Sequence, residues 1–517
     1  MANNLKAPKN GVTIRMYRQG HGDCYLFAFP RKDKKNKDPY YVLIDCGYKN
    51  GSQKNPKTKE VVLPNTDFKN IADSIFEATK GRIDLFIITH EHQDHVNGIK
   101  KKLFERFHIE EAWFAWTEDP NDEMAASLVK KRKKAVKQLL GARMKLALAV
   151  GEENSAVEKL DDFIGLELGH EDEGFNANTA LAAASGTSIS LNRRSMNLVR
   201  DKALANKGVT YWKPGEIAEM KETEAIKAYV LGPPRDKKSL KDLDPIGEEN
   251  FESHHSAHHL AFGTALTAET VASPFDSKFG FNCENVFKKE MIEKNSALEF
   301  YSKHYGNEET TLMDGGRSAD DADWRRIDES WLHSADNLAI KMNSATNNTS
   351  LVLAFELPKT KKVLLFIGDA QRGNWVSWTD NTWKDEADEP ITVKDILSRT
   401  VLYKVGHHGS HNATLNGDDN SPHANLSWMG KEKYGEEFTA MINAVEDWAW
   451  NLKTHPWRHP LPSIKEALVE KAQGRVFQTD TSTLEKPDGV SAEVWQKFIK
   501  KSTFNDLYFD YTILDEF

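Results

Sequence analysis

Between positions 90 and 95 the chain reads His-Glu-His-Gln-Asp-His, three imidazoles and a carboxylate that can bind metal within six residues. His90, His92, Asp94 and His95 offer the nitrogen and oxygen donors that zinc and similar divalent ions take. The preceding run, Ile83-Asp84-Leu85-Phe86-Ile87-Ile88-Thr89, reads as a buried strand. A strand has no packing reason to end in such a cluster. Four donors on one loop can serve two adjacent ions, and two divalent ions roughly 3.5–4 Å apart can clamp an ester or phosphodiester. Water on such an ion has its pKa lowered from 15.7 toward about 7, so hydroxide is at hand near neutral pH. The competing reading, a solvated polar loop, gives no reason for the convergence of donors.

The elements that position these donors recur along the chain. Tyr41-Val42-Leu43-Ile44-Asp45-Cys46-Gly47 is an apolar run ending in Asp and a glycine turn, Val363 to Ile367 ends in Gly368-Asp369, and Leu402 to Val405 ends in Gly406-His407-His408-Gly409-Ser410. In these four strand ends, in this order, the chain resembles the metallo-β-lactamase-fold hydrolases, whose signature is H-x-H-x-D-H after a strand. Gln19-Gly20-His21-Gly22-Asp23, Asn347-Asn348-Thr349-Ser350-Leu351, His407-His408-Gly409-Ser410, His459-Pro460 and Gln478-Thr479-Asp480 are similar to turns of the branch that includes the hydrolase domain of the ComEC DNA-uptake channel. His21 stands where that branch usually has Gln, and no channel is present.

The resemblance implies an α/β (α+β) fold, an αββα sandwich, interrupted here by two large, partly helical insertions. It assigns His90 and His92 to a first metal, Asp94 and His95 to a second, Asp369 to both, and His407 to the second site. The ions would be two divalent metals, zinc or manganese. The first site of the family also takes a histidine from a middle strand. The strand before Gly232-Pro233 ends without one, leaving His170, His254 and His333 as candidates. Asp94 would also orient water, and Asp45 would accept hydrogen bonds from the ligands unless it is a plain turn carboxylate. His408, Ser410 and His411 follow the last ligand and are placed to hold a substrate oxygen or donate to a leaving group. His459 is the candidate general acid or phosphate contact, with a plain loop histidine as the alternative. His21 lies in a glycine turn whose amides suit an anion. The expected activity is that of a metal-dependent phosphodiesterase or nuclease acting through a metal-bound hydroxide on nucleic acid or a nucleotide. Hydrolysis of a small ester, lactam or peptide bond is one alternative, and a regulatory or binding subunit using the same fold is another.

Composition bounds this reading. The chain has 517 residues, long for one domain, yet the motifs run from Asp45 to Asp480, which argues for one domain with insertions. The expected boundaries are 1–118 for the first half of the fold, 119–207 for a helical insertion, 208–234 for core strands, 235–336 for a second insertion and 337–517 for the second half. A hydrophobic content of 39% with 13 tryptophans is ample for a core. A net charge of −9 leaves no global basic footprint, so contact with nucleic acid must come from local patches. Lys404, Arg458 and the run Lys130-Lys131-Arg132-Lys133-Lys134 are the candidates, although five consecutive cations cannot share one helical face and also fit a solvated helix. Three cysteines, Cys24, Cys46 and Cys283, make no disulfide framework. The polar amino terminus and the lack of any long apolar run lead to the expectation of a cytoplasmic protein without a membrane span. His254, His255, His258 and His259 have spacing that can align pairs on a helix, with a surface role or zinc as the two readings.

Overall fold

The computed structural model describes residues 4–169, 175–251, 330–385, 387–452 and 457–517. His170, the histidines between 254 and 259, and the segment from Cys283 to Asp328 lie outside them.

The expected α/β (α+β) class is what the structure shows. Strands β1 (Gly11–Tyr17), β2 (Tyr25–Phe29), β3 (Tyr40–Ile44), β4 (Arg82–Ile87), β5 (His108–Ala115) and β6 (Gly208–Trp212) lie side by side in sequence order. A second sheet takes β7 (Ile217–Glu219), β8 (Lys227–Gly232), β9 (Val352–Glu356) and β10 (Val363–Phe366). A separate hairpin pairs β11 (Thr382–Lys384) with β12 (Pro390–Thr392). The second sheet then continues with β13 (Thr400–Lys404), β14 (Thr439–Ile442) and β15 (Val476–Gln478), in the order β15-β14-β13-β10-β9-β8-β7. Finally β16 (Ser502–Phe504) and β17 (Tyr508–Leu514) return to the first sheet, and β17 pairs with β1 along its whole length, Gly11 opposite Leu514 and Tyr17 opposite Tyr508.

Burial explains why these segments are strands. Apolar side chains from β1, β2, β3 and β4 meet those of β8, β9 and β10 in one shared core, Phe27 against Phe355 and Phe366 among them. The outer face of the first sheet is covered by the helices Phe68–Thr79 and Leu191–Leu204, through Ile71, Ile75, Met196 and Val199. The outer face of the second is covered by Arg372–Ser377, Val393–Ser398 and Pro462–Lys471, through Trp375, Ile396 and Leu468. Strands buried on both faces read as continuous apolar runs, which is why they were legible.

The expected helical character after residue 119 takes the form of Glu123–Val150, Ser155–Leu168 and Ala177–Ser185, started by the side-chain caps Asp122, Asn154 and Asn176. These helices have a core of their own, Leu139, Leu140, Val157 and Ile164, shared with Ala339 and Met342 of the helix Ser330–Asn347. No described helix is long and apolar enough to cross a membrane.

Two blocks of parallel strands matter most for the site. β3, β4, β5 and β6 run parallel, as do β10, β13, β14 and β15. The carboxyl ends of such strands are where ligands bind in open α/β sheets, and the donors lie there.

Candidate metal centre

Asp45 follows β3 with φ of 53° and orders the loop after β4. Its Oδ1 accepts from the Thr89 amide at 2.8 Å, and its Oδ2 accepts from the Thr89 hydroxyl at 2.6 Å. The same Oδ2 takes Nδ1–H of His95 at 2.8 Å. A carboxylate can only accept, so His95 carries a proton on Nδ1 and turns Nε2 toward Asp369 Oδ2, 3.2 Å away.

The same bookkeeping fixes the other imidazoles. His408 Nδ1 lies 2.9 Å from the Asn443 carbonyl and must donate to it, which turns Nε2 into the cluster, 3.1 Å from Asp94 Oδ2 and 3.6 Å from Asp369 Oδ2. Thr89 has already given its hydroxyl proton to Asp45, so it accepts from Nδ1–H of His90 at 3.1 Å. His90 Nε2 then faces His92 Nδ1 at 3.1 Å and Asp369 Oδ2 at 4.0 Å. His92 bonds through Nε2 to Glu167 Oε1 at 3.0 Å. Ring nitrogens of His90, His95 and His408 therefore surround Asp369, with His92 next to His90.

Donor atoms of Asp94, His95, Asp369 and His408 all lie within 4.8 Å of one another and are buried. Asp94 Oδ1, Asp369 Oδ1 and His95 Nε2 are buried with no hydrogen-bond partner. Each such atom costs about 1–3 kcal/mol unless something satisfies it. A divalent cation suits all of them at once, so the residues present fit the expected ions. Charge pairing within the cluster is strong. Burial alone disfavours a charged His95, yet Asp369, Asp23 and Asp45 hold its pKa well above the ordinary imidazole value. Burial alone would likewise raise Asp94 and Asp369, but His408 and His95 hold both below the ordinary aspartate range. The cluster is buried.

His407, expected as the last ligand, is corrected to His408. Both residues adopt left-handed backbone, φ 42° and 55°, in a tight turn after β13. That turn swings the second imidazole, not the first, onto Asp94. His407 instead accepts from the Asn347 side-chain amide at 3.0 Å, and burial lowers its pKa to about 4. His411 is exposed, with Nε2 3.5 Å from Asp244, and is not among the cluster's donors. Ser410 is buried and its amide donates to the His407 carbonyl.

His21 and His459 meet beside the cluster. The Val445 amide donates to His21 Nδ1 at 3.2 Å, so His21 is protonated on Nε2 and donates to His459 Nδ1 at 3.3 Å. His459 is thereby fixed with its proton on Nε2. Burial and the neighbouring imidazoles keep both rings neutral, with pKa values well below the ordinary one. Trp448 and Trp457 wall this pair, with ring centroids 5.0 and 5.7 Å from His21.

Two of the expected rim cations turn inward. Lys404 is buried, its Nζ 2.5 Å from Asp23 and 3.5 Å from Asp369, and donates to the Gly368 carbonyl. Lys130, Lys131, Lys133 and Lys134 are exposed, but Arg132 bonds Glu167 Oε2 at 2.5 Å and Glu91 at 2.9 Å. Arg458 is exposed, 5.5 Å from the Trp450 ring. Three residues of the site were not singled out by sequence: Asp23, although its G-x-G-D turn was visible; Asn443; and Glu167, whose only signal is an acid in an apolar helix end, Ile164-Gly165-Leu166-Glu167-Leu168. Against Glu91 and Glu167 opens a cavity of about 640 Å³, lined also by Val129, Arg193 and Arg200.

No protein-family model matches the chain, and no curated protein matches it.

Proposed function

We propose that this protein is a metallo-β-lactamase-fold hydrolase, its two facing sheets forming an αββα sandwich, and that it hydrolyses phosphodiesters of nucleic acid or nucleotides. The observation that carries the hydrolase reading is the position of Asp369 Oδ2, with His90, His95 and His408 nitrogens 4.0, 3.2 and 3.6 Å away. The donor set suits two divalent ions, zinc or manganese, with His90 and His92 on one and Asp94, His95 and His408 on the other. When bound, they would supply Lewis acidity toward a phosphoryl or carbonyl oxygen. The chain's own groups do the rest. Asp94 Oδ1, buried and without a partner, is placed to accept a proton from attacking water. His459, with its proton held on Nε2 by His21, donates a hydrogen bond to a substrate or leaving-group oxygen. Trp448 and Trp457 keep that side of the site dry.

The phosphodiester reading is supported by the ComEC-like turns, which bring His21, Asp23, Ser350, His408 and His459 to one place. A second reading, hydrolysis of an uncharged ester, lactam or peptide bond, is favoured by Lys404 and Arg132, which are spent on Asp23, Asp369, Glu167 and Glu91 rather than offered to a phosphate. The deciding experiment assays metal-loaded protein on bis-p-nitrophenyl phosphate, single- and double-stranded DNA, RNA, cyclic nucleotides and nitrocefin, beside Asp369→Ala. Phosphodiester cleavage that disappears with Asp369 is expected. Turnover of nitrocefin alone overturns the substrate reading, and wild-type turnover with full metal content in Asp369→Ala overturns the centre itself.

A further inference from the structure

Among the described residues, the helical insertion reaches the metal cluster through Glu167. Glu167, in the last turn of Ser155–Leu168, is fully buried and divides its carboxylate between two tasks. Oε2 accepts from Arg132 at 2.5 Å and from the Thr346 hydroxyl at 3.3 Å. Oε1 meets His92 Nε2 at 3.0 Å. The main chain at this point is held as firmly: the Asn192 side-chain amide nitrogen lies 2.9 and 3.1 Å from the carbonyls of Leu166 and Glu167 and 3.3 Å from that of Glu91, donating its two N–H groups among them. Glu91, the residue between His90 and His92, pairs in turn with Arg132 and Arg193. The insertion is thus bolted to the metal loop from both sides of His92.

We propose that Glu167 is the positioning residue for the first metal site: by accepting Nε2–H of His92 it commits that imidazole to present a bare Nδ1, alongside Nε2 of His90, to the ion. This rests on the metal-centre reading and deepens it. A ligand imidazole ordinarily has its far N–H taken by a carboxylate or carbonyl, which sets the tautomer and raises basicity. His95 has Asp45 and His408 has the Asn443 carbonyl for this purpose, both from the sheets' own strand ends. His92 has no such partner from either sheet among the described residues, and the insertion supplies it. Arg132 fills Oε2 through an ion pair at 2.5 Å, which leaves Oε1 for His92. The insertion is therefore part of the metal site as well as a wall of the cavity beside it.

The test needs two measurements on the full chain. In the first, cobalt(II) and zinc are titrated into metal-free wild type, Glu167→Gln and Glu167→Ala, following heat and the cobalt visible spectrum. Wild type is expected to take two ions. The variants are expected to weaken one of the two about 10–100-fold and change its spectrum, leaving the other unchanged. Two unchanged affinities in folded variants overturn the role of Glu167 while the metal centre stands. A wild type that takes up no metal overturns the centre itself. In the second, which needs no variant, long-range nitrogen–proton correlation spectra of the zinc-loaded wild type report the imidazole tautomers. His92 is expected as Nε2–H, in contrast to Nδ1–H at His90, His95 and His408. An Nδ1–H tautomer at His92, as direct coordination through Nε2 beside Glu167 requires, overturns the proposal.

Discussion

Adjacent histidines at 407 and 408 show how one turn sorts two identical side chains into different roles. His408 has its Nδ1 tied to Asn443 and its Nε2 in the cluster, whereas His407 is held by Asn347. Replacing each by alanine should separate them. His408→Ala is expected to lose one of two ions and nearly all activity, because a ligand to the second site is gone. His407→Ala is expected to keep both ions, with turnover reduced about 10–100-fold at most if the ring only positions its surroundings. Elemental analysis of the two purified variants checks this, and loss of metal from His407→Ala alone would reverse the assignment.

At the scale of the element, the short helix Gln93–Val96 that carries Asp94 and His95 is seated on the turn after β3 with no room to spare. A Cβ on Gly47 would lie 2.5 Å from the Asp94 carbonyl carbon and 2.6 Å from the His95 amide. Gly47→Ala must therefore push this helix and both its ligands. A cost of about 1–3 kcal/mol is expected, together with weaker metal binding, read from urea unfolding and a zinc titration. Unchanged zinc affinity would show that the helix gives way without moving its ligands. β9 offers a test remote from the metals. Glu356 is buried there among Arg399, Lys227 and Lys361, and it accepts from the Tyr229 hydroxyl. Burial alone would raise its pKa, but Arg399 leads the cations that hold it below the ordinary 4.5. The folded state thus binds this proton less readily than the unfolded state. Its contribution is whole above that ordinary value and is lost as pH falls through the lower folded value. Glu356→Gln should cost about 2 kcal/mol at neutral pH. The gap from wild type should close as unfolding is repeated at pH values progressively below about 4.5. A gap that stays constant with pH contradicts this.

Over the whole molecule, the metal cluster sits where two sheets are joined: Asp45 and the residue 90–95 loop belong to the first, Asp369, His408 and Asn443 to the second. Ions bound there bridge the sheets, so they should stabilise the fold as a whole. A ligand that binds only the native state adds about 2.7 kcal/mol at a hundredfold excess over its Kd. Chelation should lower the thermal midpoint, and zinc should restore it. Scanning calorimetry before and after chelation decides it, and an unmoved midpoint in protein shown to be metal-free would mean that the ions hold only a local loop.

The sequence by itself determined the strand ends and the donor types. β3, β4, β10 and β13 are short apolar runs buried on both faces, and the polar residues ending them, Asp45, His90 to His95, Asp369 and the His407-His408 pair, break that pattern at once. Such information is local and survives in the order of residues. Tyr508 to Leu514 alternates buried and half-buried residues, and its pairing with β1 depends on a contact across almost the entire chain. Only the tertiary structure decided which of two neighbouring imidazoles enters the cluster, since that depends on the hand of a turn. It also turned Lys404 and Arg132 inward, because the carboxylates that attract them come from distant segments. Glu167 lies 75 residues from His92 in sequence, and no spacing rule connects them. Folding brings the two to 3.0 Å because the insertion packs on the loop through Glu91, Arg132 and Asn192.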